Sequence, residues 1–251
     1  MIEKASYTTK FIAIRAKIFQ KLDLPKSSSK SVKVEHNVSP VDGEDQAESA
    51  KTKTTDNPSK RAKLDCNQSL SGMKEWLRRG GIKLVLNDRD SIIRGKRLND
   101  MIINVAQKLL KSQFSKLKGF QSTLLQNKKC SSAFELNKVQ ILHSRGDHWI
   151  VATTVGCDQH LVKIFDSMYD NVDDGTKEVI SNVFGSSAIP QSVKIEIQEG
   201  VDDCGLFAIA NATCVCFGQD PALMKFNQSL MRLHLAQCID NKKITPFPQL
   251  V

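Results

Sequence analysis

What most limits this chain is a break in composition near residue 70. From Lys26 to Ser69 it is built of Ser, Lys, Asp, Glu, Asn and Thr, with no Phe, Tyr or Trp and hardly any apolar periodicity. Ordering such a stretch costs about 1–2 kcal/mol per residue in backbone entropy, and there is no apolar surface to set against that cost. We therefore read residues 1–72 as a mostly disordered basic and polar N-terminal region, and residues 73–251 as one folded domain. Phe11, Ile14, Ile18 and Leu22 recur at helical spacing before the break, and an unstructured arm is favoured over a docking helix there.

Charge and hydropathy narrow the function classes. The 36 Lys+Arg exceed the 27 Asp+Glu by nine, a +9 balance spread along the whole chain. It admits an acidic partner or nucleic acid without singling one out. The longest apolar run, Leu206–Phe217, is about 12 residues and is interrupted by Asn211 and Thr213. A membrane span needs about 20. The apolar patch Phe11–Phe19 contains Arg15 and Lys17, which argues against a secretory leader. The expectation is a soluble intracellular protein without a membrane partner. Seven cysteines, an odd number without regular spacing, make no disulfide framework and read as free thiols.

Pro58-Ser59-Lys60-Arg61-Ala62-Lys63-Leu64-Asp65 resembles a monopartite nuclear import signal. In an extended segment, Lys60, Arg61 and Lys63 can enter separate acidic pockets of an import receptor. Localisation in the nucleus, the cytoplasm or both follows. The same region offers Lys51 and Lys53 as phosphate contacts, but no aromatic residues are interleaved for base stacking.

From Met73 onward the periodicities are those of an α+β domain. Met101, Ile102, Val105, Ala106, Leu109 and Leu110 mark a helix capped by Asn99 or Asp100. Strands are expected at Lys138–His143, Trp149–Val155 and Leu161–Asp166, then a helix over Gly175–Phe184 and a strand at Val193–Gln198. Cys204–Phe217 reads as a buried helix. A last helix is expected from Asp220-Pro221 to about Cys238, with Pro at its first position.

Three segments present reactive groups where strands end or helices begin. His148-Trp149 opens one strand and Asp166 closes the next, so hairpin pairing would set His148 beside Asp166. Cys204 heads the buried helix, where the positive end of the dipole and a nearby imidazolium both favour a thiolate. These types suit nucleophilic cleavage of an amide. Cys204 attacks, His148 exchanges protons, Asp166 fixes the ring, and Gln198 with the Cys204 amide receives the oxyanion. Gly205 removes a side chain where substrate backbone must come close.

His148-Trp149, Asp166-Ser167 and the string Gln198-Glu199-Gly200-Val201-Asp202-Asp203-Cys204-Gly205 resemble the signature of the SUMO/ubiquitin-like-protein-specific cysteine proteases. Leu98-Asn99-Asp100 resembles that family's early helix start, and the similarity runs over about residues 84 to 235. It implies a papain-like α+β fold in His–Asp–Cys order, with a central mixed or antiparallel sheet flanked by helices. It implies a cysteine peptidase needing no cofactor, cleaving after the C-terminal Gly-Gly of a ubiquitin-like modifier, SUMO-like in the first instance. Trp149 would cover the channel over the two glycines. Arg97 is a departure, since the family often has Trp there. The tail Arg232-Leu233-His234-Leu235 with Pro246-Phe247-Pro248 resembles variants associated with mobile genetic elements.

Other chemistries fit less well. Cys214 and Cys216, with His234 and Cys238, lack the paired spacing of a zinc site and point to different helix faces, so no metal is expected. His143 and His160 have no evident partner and read as residues on a sheet surface. Asp170, Asp173 and Asp174 lack calcium-loop spacing and read as a solvated turn. The competing function is a catalytically silent module that holds a ubiquitin-like modifier, or a mobile-element-derived protein whose N-terminal arm binds nucleic acid.

Overall fold

The computed structural model describes residues 73–128 and 134–250. The N-terminal region, with the Phe11–Leu22 pattern and the import-signal residues Lys60, Arg61 and Lys63, lies outside the described residues.

The described chain begins with a hairpin, β1 (Glu75–Arg79) and β2 (Ile82–Val85), turned at Gly80-Gly81, where both glycines have positive φ. Helix α1 (Leu86–Ile93) follows, its start fixed by Asp88 Oδ2 accepting from the Val85 amide at 2.8 Å. Helix α2 (Asp100–Gln113) begins where the cap signal put it. Asn99 is its N-cap, with Oδ1 accepting from the Ile102 amide at 2.9 Å, an interaction worth about 1 kcal/mol.

The centre is a five-stranded mixed sheet in the order β3 (Lys118–Gly119), β4 (Lys138–Ser144), β5 (His148–Thr153), β6 (Leu161–Phe165) and β7 (Ile189–Val193). The three middle strands are antiparallel, and β3 and β7 add in parallel at the edges. Side chains of β5 alternate between two cores. Trp149 and Val151 face a large one with α1, α2, α4 (Cys204–Cys216) and α5 (Gln228–Asp240). Ile150 and Ala152 face a smaller one closed by α3 (Asp174–Phe184). Helices thus cover both faces of the sheet, an α+β architecture. Helix α4 is buried over all its 13 residues and packs across β5 and β4, which is why its sequence is apolar on every side.

Two expectations need correcting. The strand expected at 193–198 is instead β7 at Ile189–Val193. It is an edge strand with no fully buried residue, and the chain beyond it turns toward the site. The last helix does not run unbroken from Pro221. Asp220 caps only a 3-10 turn, Pro221–Leu223, and the chain is extended at Met224 before α5 starts at Gln228. Among the described residues, no helix is long and apolar enough to cross a membrane.

Candidate active site

Antiparallel pairing of β5 with β6 brings the start of one strand beside the end of the other. His148 Nε2 and Asp166 Oδ1 are 2.7 Å apart, both buried. The same carboxylate oxygen accepts from the backbone amides of Met168 and Tyr169 at 2.8 and 3.0 Å, so its position is fixed from the turn after β6. Tyr169 stands edge-on to the imidazole, with centroids 5.4 Å apart, and the Arg145 guanidinium lies 4.3 Å over the Tyr169 ring. With Nε2 engaged by Asp166, His148 Nδ1 is buried and makes no hydrogen bond of normal geometry.

Cys204 is the first residue of α4, in the turn whose amides have no partner within the helix. Burial alone would raise its pKa. The His148 ring and the backbone amides of Trp149 and Gly205 outweigh burial and lower it. His148 shows the complementary shift. Burial opposes its charge, but Asp166 and Cys204 together raise its pKa to about 9. The two shifts run in opposite directions, both toward a charge-separated pair. Cys214 and Cys216, deeper in the same helix, shift the other way, raised by burial.

Gln198 arrives from the extended segment after β7. Its amide nitrogen donates to the Gly200 carbonyl at 3.1 Å, and its oxygen accepts from Ser167 Oγ at 2.7 Å. A carbonyl only accepts, so the contact with Gly200 fixes which end of the amide is nitrogen. That nitrogen keeps a second N–H.

Trp149 is largely buried, its Nε1 donating to the Leu98 carbonyl at 3.0 Å and its ring edge-on to His143 at 4.7 Å. Gly205 meets a packing constraint within the protein. A Cβ there would lie 3.0 Å from Leu98 Cβ and 3.1 Å from Trp149 Cδ1. The missing side chain thus makes room for the protein's own packing beside Trp149.

Several contacts around the site have no counterpart in the sequence reading. Asp203, directly before Cys204, does not cap α4 with its side chain. It is held from α5 by Gln228 Nε2 at 2.6 Å and by Arg232. Gln228 also exchanges hydrogen bonds with the Glu199 backbone, both at 2.8 Å. Arg97 pairs with Asp147 and, at 3.0 Å, with Asp202. None of these pairs has a local signal, because each joins segments far apart in sequence.

The other candidates scatter. His143 is half-buried against Trp149, and His160 Nδ1 lies 2.9 Å from Ser187 Oγ, so neither is without a partner. Asp173 is the N-cap of α3, accepting from the Thr176 amide at 2.7 Å. His234 and Cys238 meet, with Nε2 and Sγ 3.4 Å apart. Among the described residues, no three His, Cys, Asp or Glu side chains converge as a metal site.

No protein-family model matches the sequence, and no curated protein matches it. Solved structures do. The C-terminal Ulp1 protease domain, in complex with Smt3, the yeast ortholog of SUMO, superposes with a TM-score of 0.55 at 12% identity, covering 74% of this chain and 96% of that one. Ulp1 with its catalytic cysteine oxidised to a sulfenic acid gives 0.53 at 12% identity, over 75% and 96%. The Chaetomium thermophilum Ulp1-like SUMO protease catalytic domain gives 0.50 at 18% identity, over 76% and 92%. The mixed sheet with its flanking helices is therefore similar to the fold of these Ulp1-type catalytic domains.

Proposed function

We propose that the protein is a cysteine peptidase of the SUMO/ubiquitin-like-protein protease family, releasing a ubiquitin-like modifier by cleaving after its C-terminal Gly-Gly. The observation that carries this is the opposed pair of shifts at His148 and Cys204, with Asp166 fixing the imidazole. A charge-separated pair at a helix N-terminus is the ground state that thiol attack on an amide requires.

In the reaction, the Cys204 thiolate attacks the carbonyl carbon of the terminal glycine. The carbonyl π electrons move to oxygen, where the free N–H of Gln198 and the Cys204 amide stabilise the charge. The oxyanion then collapses, the C–N bond breaks, and the imidazolium of His148 gives its proton to the departing amine. Neutral His148 next takes a proton from water, which attacks the thioester. Collapse of the second oxyanion releases the modifier's carboxylate and regenerates the thiolate. Asp166 holds Nε2 throughout, so Nδ1 faces the reacting atoms. Trp149 would cover the diglycine, and two residues without side chains are what a narrow passage beneath an indole admits.

SUMO-like modifiers come first because the similar folds belong to SUMO proteases, one of them in complex with Smt3. An import receptor for Lys60, Arg61 and Lys63, and nuclear localisation, are part of the same proposal. The test is incubation of the full chain with a panel of modifiers whose C-terminal carboxylate is replaced by an electrophile, followed by mass mapping of the adduct. Attachment of a SUMO-like probe at Cys204 supports the reading. Tight binding without any adduct would instead make the protein a silent binding module.

A further inference from the structure

Arg97 stands just before the cap of α2, and the backbone on either side of it is pinned. Arg232 Nη1 donates to the Lys96 carbonyl at 2.8 Å, and Trp149 Nε1 donates to the Leu98 carbonyl at 3.0 Å. From this fixed base the guanidinium reaches two carboxylates on opposite sides of the site. Asp147 immediately precedes His148, in the turn between β4 and β5, and Asp202 lies two residues before Cys204, in the segment entering α4. We propose, building on the peptidase reading above, that Arg97 is a positioning residue: an ionic tie that sets the separation of His148 from Cys204 by holding together the two segments that carry them.

Helix α4 already packs on β5, and the Trp149 amide acts on Cys204; the Arg97 tie adds a charged link between the same two segments. Asp166 fixes the imidazole on its far side, and His148 Nδ1 has no hydrogen-bond partner on the near side. The distance across the gap is therefore set by the framework. Arg232 and Gln228 hold the Cys204 segment to α5, and the hydrogen bonds they make there do not reach the turn before His148. Arg97 spans both.

The three side chains of the tie are 41%, 74% and 55% exposed. Such pairs contribute little to stability, whereas a displacement of about 1 Å between reacting groups can cost about 100-fold in rate. Loss of the tie is thus expected to separate activity from stability.

The experiment compares the full chain with Arg97→Ala, Arg97→Lys and the double variant Asp147→Asn/Asp202→Asn. The first readout is the rate of Cys204 alkylation by iodoacetamide against pH, which needs no substrate. The charged and titratable groups facing the pair are Asp166, His143, Tyr169 and the pair itself, and none is altered in these variants. In Arg97→Ala the acid limb of alkylation should move up toward that of a free thiol. With a cleavable modifier, kcat should fall on the order of ten-fold with KM within about two-fold and Tm nearly unchanged. Lys should recover part of the loss. At 1 M salt, where the Debye length is about 3 Å, wild type should approach the Ala variant.

The double variant separates a tie from a simple charge effect. Removing two anions near the thiol would by charge alone lower its pKa, while loss of the tie raises it. A downward shift in the double variant, or an alkylation profile and kcat in Arg97→Ala matching wild type, overturns the proposal. If Arg97→Ala does not fold, the double variant alone decides. An unreactive Cys204 in wild type would overturn the peptidase reading itself, a distinct result from a reactive wild type that ignores residue 97.

Discussion

His148 with Cys204 and His234 with Cys238 are both pairs in which the imidazole pKa is raised and the thiol pKa lowered. Their surroundings differ in every other respect. At the first pair a buried carboxylate holds one ring nitrogen and leaves the other for the thiol. At the second, the single nitrogen Nε2 serves Cys238 at 3.4 Å, Thr245 Oγ1 at 3.3 Å and the Thr245 carbonyl at 3.2 Å. Cys204 opens α4, where the helix dipole favours an anion. Cys238 lies in the last turn of α5, where the dipole opposes one. The first turn of α4 offers free amides beside Cys204, and in the proposed mechanism Gln198 adds a donor, while Cys238 has Thr245 and a helix interior. A thiol–imidazole contact is therefore common chemistry. A nucleophile needs an oriented ring, a favourable dipole and donors waiting for the oxyanion.

The sharpest way to break this contrast is to remove each sulfur in turn. Cys204→Ser should lower amide cleavage by on the order of 10⁴-fold or more while modifier binding persists, whereas Cys238→Ser should stay within about two-fold of wild type. Equal losses would erase the distinction. Gln198→Ala tests the donor that only the first pair has, and kcat should drop about 10²–10³-fold with a smaller change in KM. An unchanged kcat removes Gln198 from the mechanism.

Asp166→Asn comes next, at about 10–100-fold, a smaller loss than in a serine enzyme because a thiol ionises far more readily than a hydroxyl and the Cys204 pKa is lowered further. Its signature is in the pH profile. Activity should rise as pH passes the lowered thiol pKa and fall as His148 loses its proton near pH 9. Without the carboxylate that raises it, His148 deprotonates at lower pH, and the thiol it supports ionises at higher pH. The active window should close from both sides, and a profile of unchanged width would show that Asp166 does not act through the ring. Gly205→Ala probes the close contact with Leu98 and Trp149, and thermal melts should report about 1–3 kcal/mol of destabilisation.

The first pair was legible in the sequence for a physical reason. Strand alternation around Trp149–Val155 and the turn between two strands forced His148 beside Asp166, and an apolar run too long for a strand made Cys204 a helix start. Asn99 was readable as a cap because capping is a local hydrogen bond. The hairpin before α1 was missed although Gly80-Gly81 marks its turn. Part of what holds it is distant, with Trp76 Nε1 donating to Asp240 at 2.6 Å across the domain. Asp220-Pro221 has the form of a helix start, yet the chain leaves that turn to bury Phe226, so tertiary packing overrode the local signal. Arg97, Gln228 and Arg232 act through partners 25 or more residues away, and no spacing rule finds such pairs.

The smallest expected effect falls on the stability contributed by the second pair. His234 is raised chiefly by Cys238, with burial opposing and Thr245 helping. A raised histidine contributes stability that is fully present below its unfolded pKa of about 6.5 and is lost as pH rises through the folded value. Cys238, where burial is outweighed by His234 and Thr245, is lowered, so its contribution is present above the free thiol pKa and is lost as pH falls through the folded one. Each is the other's main partner, which makes this one coupled interaction rather than two increments. Serine at 238 keeps a hydroxyl that can bond His234 and Thr245 but does not ionise. It should leave neutral hydrogen bonds, worth about 0.5–1.5 kcal/mol net, and remove the pH dependence. Because His234 is partly open to solvent, the change at neutral pH should stay under about 1 kcal/mol, or about 2–4 °C in Tm for a domain of this size. Melts of wild type and Cys238→Ser at pH 6, 7.5 and 9 should then give a flatter curve for the variant. A loss of several kcal/mol, equal at all three pH values, would mean that Cys238 acts by filling the core under Phe247, and the resemblance between the two pairs would be one of distance only.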